Sequence, residues 1–302
     1  MPNPSPFDFP WEDSLIIAFR DMQWKQMNDA RKTIAKLPAH LAAVLEKTWP
    51  GYPPPLAKLD GAAENATGDV ISSSGSRFFL LEFKSDISKV KTESEKFIFQ
   101  LMRNVNPENK DHDPFLELSR KGHFFVFPDT TPMLLDQSPA PDATSYGESR
   151  ALKLMVHPYF DVIHPSGTST MNAVEAKKIF FGESLGWTLP HMLAYLKILA
   201  KTHAAATESD GHPMKVAIAT QNGLLWTYGD LSDVLAMAKI FQKTLELDHD
   251  EKIMAHNTKL SEIEPLIGLA PGVKLELARI KAEKASRKKN QNQAQSDFSN
   301  KK

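Results

Sequence analysis

The stretch Arg77-Phe-Phe-Leu-Leu-Glu-Phe-Lys84 constrains the fold more than any other part of this chain. Side chains of an extended segment alternate between two faces. Phe78, Leu80, Glu82 and Lys84 therefore share one face, and Phe79, Leu81 and Phe83 the other. A strand that is apolar on both faces must be covered on both, which is the situation of a central strand in a layered α/β fold. The same strand then runs into a carboxylate and an ammonium. An unpartnered ionised group at the edge of a dry layer costs on the order of several kcal/mol. Solvent at the strand end, mutual pairing or a metal ion has to offset that cost.

The surrounding pattern supplies neighbours for this strand. Residues 11 to 49 read as helix, with Leu15, Ile16, Phe19, Met22 and Trp24 at three- and four-residue spacing and Pro38 dividing off a second short helix over 40–47. Trp49-Pro-Gly-Tyr-Pro-Pro-Pro55 reads as a rigid connector. Asp69-Val-Ile-Ser-Ser73 reads as a short strand and residues 73–76 as the turn that returns into 77–85. A helix is expected over 88–104, where Phe97, Leu101 and Val105 form an apolar stripe. A polar loop is expected over 106–114, a buried strand over 122–128 stopped by Pro128, and a long loop over 129–149. Further on, the pattern suggests a strand at 151–160 and helices at 170–179 and 187–204. A hairpin follows from 215–220 and 223–229 turning at Gln221-Asn222, then a helix at 230–246.

The short turn brings Asp69 beside Glu82. Two converging carboxylates next to a lysine form a site for a hard divalent cation, and Mg²⁺ prefers one or two carboxylates plus water and phosphate oxygens. A Glu or Asp followed two residues later by Lys is common; here it occurs at Glu82/Lys84, Glu108/Lys110, Glu175/Lys177 and Asp250/Lys252. Only the first pair ends an apolar strand directly after a hairpin whose other strand begins with Asp. Asp69, the hairpin, Glu82-Phe83-Lys84, an amphipathic helix and a further buried strand together resemble the PD-(D/E)XK nuclease superfamily over residues 11 to 128. The resemblance implies a restriction-endonuclease-like core: a helix, a three-strand meander, a helix and a fourth strand, as a mixed central sheet flanked by helices. It further implies Mg²⁺-dependent phosphodiester hydrolysis, with Mn²⁺ as a substitute, in which Asp69, Glu82 and the carbonyl of Phe83 bind the metal and Lys84 is the catalytic lysine. Gly68 replaces the proline that often precedes the Asp. The acid that members carry on the first helix or just before the Asp is assigned to Glu64, with Glu46 second. Gln100, sixteen residues after Lys84, and Lys96 one turn before it are further candidates; position 104 is Asn rather than an aromatic.

Charge and composition limit the partners. There are 36 basic and 37 acidic residues, so any nucleic acid must be met by a local patch or through a second protein. There is no cysteine, which excludes disulfides and zinc-thiolate sites. The N-terminal Met-Pro-Asn-Pro-Ser-Pro has no signal-peptide pattern and no apolar run is long enough for a membrane span, so a cytoplasmic protein is expected. Phosphate-cradling glycine loops are absent. Three regions follow: a nuclease-like core over 1–135, an α/β elaboration over 150–280 that packs on the core or serves as an interaction region, and a basic polar tail over 281–302. The tail carries seven basic and two acidic residues and is expected to be a frayed helix end followed by disorder. The expected function is a DNA nuclease acting with a second subunit or as a homodimer, a role the resemblance places in bacterial restriction or anti-phage systems. The alternative is a catalytically silent DNA-binding or partner-binding subunit on the same fold. A third reading is an unrelated α/β protein whose charged strand end is structural.

Overall fold

The computed structural model describes residues 10–48, 53–54, 56–61, 64, 68–74, 77–132, 150–164, 173–180, 185–207, 213–220, 223–230 and 268–299. The strands are β1 (Leu56–Gly61), β2 (Val70–Ser74), β3 (Arg77–Phe83), β4 (His123–Pro132), β5 (Arg150–Pro158), β6 (Val174–Glu175), β7 (Pro213–Thr220) and β8 (Gly223–Asp230). They form one mixed sheet in the order β6-β5-β4-β3-β2-β1-β7-β8. β1, β2 and β3 are an antiparallel meander, and β4 lies parallel to β3 with Glu82 opposite Phe125. Strands from the C-terminal half extend both edges of this sheet: β5 and β6 beyond β4, β7 and β8 beyond β1.

The helices are α1 (Glu12–Ile34), α2 (Ala39–Thr48), α3 (Phe97–Asn104), α4 (Asp113–Gly122), α5 (Tyr159–Ile163), α6 (Ala176–Phe180), α7 (Leu189–Thr207) and α8 (Ala270–Ser299). Two apolar layers follow from the strand alternation. Phe78 and Leu80 pack with Phe97, Leu101, Phe115, Trp187 and Leu196 on one face. Phe79, Leu81 and Phe83 pack with Leu15 and Phe19 of α1 and with Ile179 and Phe180 of α6 on the other. All five of the Phe and Leu side chains from 78 to 81 and at 83 are fully buried, so the central position read from the sequence is the one β3 holds.

Several local expectations are corrected. The segment 88–104 is not one helix: Ile87–Glu95 is 3-10, Lys96 is extended at φ −70° and ψ 138°, and α3 begins at Phe97. Polar side chains claim the local backbone there; Asp86 accepts from the Ser88 amide, and the Thr92 hydroxyl donates to the Lys89 carbonyl. Residues 56–61, given no element above, form β1, and 113–122 forms α4 with a proline in its first turn. β4 does not stop at Pro128 but continues to Pro132 along β5. The Val126 carbonyl points to the β3 side, where it accepts from Lys84. Two residues on, Pro128 turns its missing N–H to that same side, beyond the end of β3, and so leaves the β5 ladder intact.

The strand expected at 151–160 ends at Pro158, and Tyr159 starts α5; Val174–Glu175 is strand rather than helix. Trp24, expected on the buried stripe of α1, is 43% exposed. The helix runs on through Ser299 where disorder was expected. Past Gly272 the segment has neither Gly nor Pro and is rich in Ala, Lys, Glu, Gln and Arg, and Arg279 pairs with Glu276 and Glu283 one turn to either side. The expected turn at 221–222 and helix at 230–246 lie outside the described residues, apart from Asp230 at the end of β8.

A candidate acidic and lysine site at the end of the central strand

The antiparallel register of β2 and β3 pairs Val70 with Leu81. Asp69 stands just before that last pair, and its amide donates to the Leu81 carbonyl, which brings it beside Glu82. The Asp69 carboxylate is anchored by the Phe83 N–H, which donates to Oδ2 at 2.8 Å. Its other oxygen is left to face the cluster. Glu82 is fully buried and Lys84 is 3% exposed, so the charged strand end is not a solvated one.

What offsets the burial is a network of two ammoniums and several carboxylates. Lys96 Nζ lies 2.6 Å from Glu82 Oε1, 2.8 Å from Glu93 Oε2, 3.5 Å from Asp69 Oδ1 and 3.8 Å from Glu64 Oε1. Lys84 Nζ lies 3.2 Å from Glu82 Oε1, 2.9 Å from Glu93 Oε1 and 3.3 Å from Glu12 Oε2. The extended backbone at Lys96 creates this arrangement. Had the helix been continuous, Lys96 would have followed the helical path of the segment. The break instead lets its side chain reach back to the strand ends, and the Lys96 amide still closes the turn onto the Glu93 carbonyl.

The electrostatics are uneven. Burial pushes the Glu82 carboxyl well above its ordinary range, Asp69 and Glu93 push it further, and Lys96 and Lys84 only partly oppose them. Glu93 goes the other way: burial would raise it, but a hydrogen bond with Glu82 and the charges of Lys96 and Lys84 outweigh that and hold it low. Burial and its acidic neighbours thus favour the neutral form of Glu82, while Lys96 and Lys84 favour the charged form of Glu93. Burial lowers both lysines in isolation, yet the carboxylates around them hold both above the usual lysine value.

The wall behind Glu82 is aromatic. Phe125 lies opposite it in β4, and the Tyr159 ring stacks on Phe125 at 4.3 Å and on His123 at 4.1 Å between ring centroids. His123 is fully buried beside the Tyr195 hydroxyl, 2.9 Å from its Nδ1, and burial pushes its pKa down to about 3.

The positions named from the sequence separate accordingly. Asp69, Glu82 and Lys84 come together, and Glu64 reaches their rim through Lys96. Gln100 does not reach the carboxylates: its amide nitrogen donates to the Ser94 carbonyl at 2.5 Å, holding the turn that carries Glu93 to Lys96. The side chain of Glu46 lies outside the described residues. Glu93 and Glu12 were missed. Glu93 stands three residues before Lys96, a spacing that pairs side chains across one helical turn, and Glu12 opens α1 as the first acid of the first helix.

The donor set suits a hard cation in part. Among the described residues no group of three or more His, Asp or Glu side chains is arranged to hold a metal ion. Mg²⁺ needs only one or two carboxylates. Asp69 Oδ1 and Glu82 Oε1 converge on one cation, the Lys96 ammonium, and Glu82 Oε2 is buried with no hydrogen-bond donor against it. Among the described residues no helix is long and apolar enough to cross a membrane. No family model matches this chain, and comparison with curated proteins and with solved structures found no match.

Proposed function

We propose that the chain is a Mg²⁺-dependent nuclease that hydrolyses phosphodiester bonds, with DNA as the favoured substrate, and that Asp69, Glu82 and Lys84 carry the reaction. The observation that carries this reading is the convergence of Asp69 and Glu82 on a single cation at the end of a fully covered strand. A buried acid pair of this kind costs stability unless something uses it. The order of elements supports the same reading: a helix, the β1-β2-β3 meander, a helical segment and a fourth strand parallel to the third, as in the restriction-endonuclease-like core.

In this reading Asp69 and Glu82 would hold the metal, with the carbonyl of Phe83 as a further ligand. When bound, the metal would supply Lewis-acid polarisation of the phosphate and would acidify a water molecule. Lys84, oriented from two sides by Glu12 and Glu93, donates to the charge that develops on the phosphate oxygens. Phe125 and Tyr159 close the site from behind. Action with a second subunit or a second copy, in a restriction or anti-phage setting, belongs to the same proposal.

One observation favours a second reading, a silent binding subunit on the same scaffold. Lys96 stands at the point where the carboxylates meet and already balances them. Digestion of supercoiled and linear DNA with Mg²⁺ or with EDTA separates the two. Cutting that needs Mg²⁺ and disappears in folded Glu82→Gln and Lys84→Gln proteins supports the nuclease. Cutting that survives both substitutions overturns the site assignment. Absence of cutting by the wild-type chain under all conditions, together with retained DNA binding, supports the silent subunit.

A further inference from the structure

α8 carries one face that changes character partway along. Positions 270, 273, 277, 281, 284 and 288 recur at three- and four-residue spacing and so lie on one side of the helix. The first three are Ala270 and Val273, which are buried, and Leu277, which is partly buried against the core formed with α3 and α7. The last three are Lys281, Lys284 and Lys288. Past Ile280 every residue to 289 is exposed, so the helix leaves the body of the protein while the face that had been packing inward turns basic. Residues 281 to 289 hold five cations against one acid, Glu283.

The place where this face emerges is set by a direct contact. Lys284 is salt-bridged to Glu95, the residue immediately before Lys96 and two after Glu93. α8 also packs against the 3-10 segment Ile87–Glu95 and against α3. The basic face therefore begins at the rim of the acidic and lysine site. Lys281 and Lys288 stand about 10 Å apart along the helix, from the rise per residue. The pair Lys284–Glu95 is exposed, and an exposed pair is weak enough to exchange its carboxylate for another anion.

We propose that the Lys281, Lys284 and Lys288 face of α8 is a phosphate-binding arm that holds a nucleic-acid backbone at the mouth of the site. The choice of nucleic acid among polyanions rests on the nuclease reading; the presence of a polyanion surface does not. An anionic membrane is a poorer match, since residues 281–289 offer no apolar side chain larger than Ala282 and Ala285 to enter a bilayer.

The test is fluorescence anisotropy of labelled single-stranded DNA, duplex DNA and RNA with the full chain in EDTA, over a series of salt concentrations. EDTA removes cutting, so a failure of the nuclease reading leaves this measurement untouched. Each lost phosphate contact lowers the salt slope by about 0.9 on duplex DNA and about 0.7 on a single strand. The triple variant Lys281→Gln, Lys284→Gln, Lys288→Gln should therefore lose roughly two to three units of slope and at least about tenfold in affinity at low salt. Lys25→Gln, at an exposed lysine of α1, should leave both unchanged. Circular dichroism checks the triple variant, and if it misfolds, Lys288→Gln alone should lower the slope by about one unit. Equal affinity and slope in variant and wild type, or no binding of any of the three nucleic acids by the wild type, overturns the proposal. So does equal loss in Lys25→Gln.

Discussion

The division of charge between Glu82 and Glu93 makes an unequal pair of otherwise similar substitutions. Glu82→Gln keeps the oxygen that accepts from Lys96 at 2.6 Å and from Lys84 at 3.2 Å. Its amide nitrogen takes the place of Oε2, which is buried without a hydrogen-bond partner, and can then donate towards Glu93. Because its surroundings favour the neutral form of Glu82, the expected change is about 1 kcal/mol or less, the size of one imperfectly replaced hydrogen bond. Glu93→Gln removes an ionised group that pairs with Lys84 at 2.9 Å and Lys96 at 2.8 Å. Lys84 then retains the half-exposed Glu12 and Glu82, whose surroundings favour its neutral form. Breaking a buried pair in this way costs about 3–5 kcal/mol. Ionisation of Glu82 in place of Glu93 regains part, which leaves an expected gap of roughly 2 kcal/mol or more between the two variants.

Urea unfolding at neutral pH, followed by circular dichroism and tryptophan fluorescence, measures the gap. A second readout comes from pH. Glu82 has its folded-state pKa raised, so its contribution is fully present below the unfolded carboxyl value and is lost as pH rises through the folded value. Glu82→Gln has no such group and should gain on the wild type as pH rises. If Glu82→Gln costs as much as Glu93→Gln, or loses ground with rising pH, then Glu82 is the ionised member and the reasoning fails.

Three other expectations concern the support around the site. His123, held at a pKa of about 3, contributes stability that is present above its unfolded value near 6.5 and is lost as pH falls towards 3. His123→Phe should flatten that acid limb, whose slope is at most about 1.4 kcal/mol per pH unit, and urea midpoints at several pH values that fall equally in both proteins would refute it. A Cβ at Gly122 would stand 2.3 Å from the Trp187 ring, so Gly122→Ala should cost about 1–3 kcal/mol or more and alter the near-UV circular dichroism; a midpoint within 0.5 kcal/mol of wild type, as an order of magnitude, counts against that packing. Arg120 Nε donates to the buried Asp161 carboxylate at 2.9 Å, and the other carboxylate oxygen has no donor. Arg120→Ala should therefore destabilise by about 2 kcal/mol or more, and adding Asp161→Asn should recover part of it; no recovery would show that the ion pair is not the cause.

The strand 77–83 was legible because its signal is local. Five apolar residues on two faces admit one environment, and the alternation assigns Phe78 and Leu80 to one layer and Phe79, Leu81 and Phe83 to the other, as found. The hairpin expected between these two strands is found, pairing Val70–Ser74 with Arg77–Leu81, and Asp69 stands one residue before it. Other elements were hidden because competing local signals masked them. Three prolines before Leu56 drew attention away from β1, whose pairing with β7 spans more than 150 residues of sequence. Pro128 read as a strand end, and only the shorter length of β3 leaves its missing N–H without consequence. In α8 the helix-forming residues were present, but high charge and few apolar groups pointed to disorder.

For the site, alternation and hairpin geometry determine from the residues alone that Asp69, Glu82 and Lys84 meet at the end of a buried strand. Which groups complete the cluster is a matter of long-range packing. Glu12 arrives from α1 across the sheet end, 72 residues from Lys84, and no local pattern encodes that distance. Glu93 and Lys96 depend on one backbone turn, where a 3-10 segment gives way to an extended residue before α3. That break is set by side chains competing for the backbone, and it leaves α3 packed against α5 and α8. The upward shift of Glu82 depends on more still. A carboxyl titrates according to every charge and every apolar wall around it, and these come from separate stretches of chain brought together only by folding.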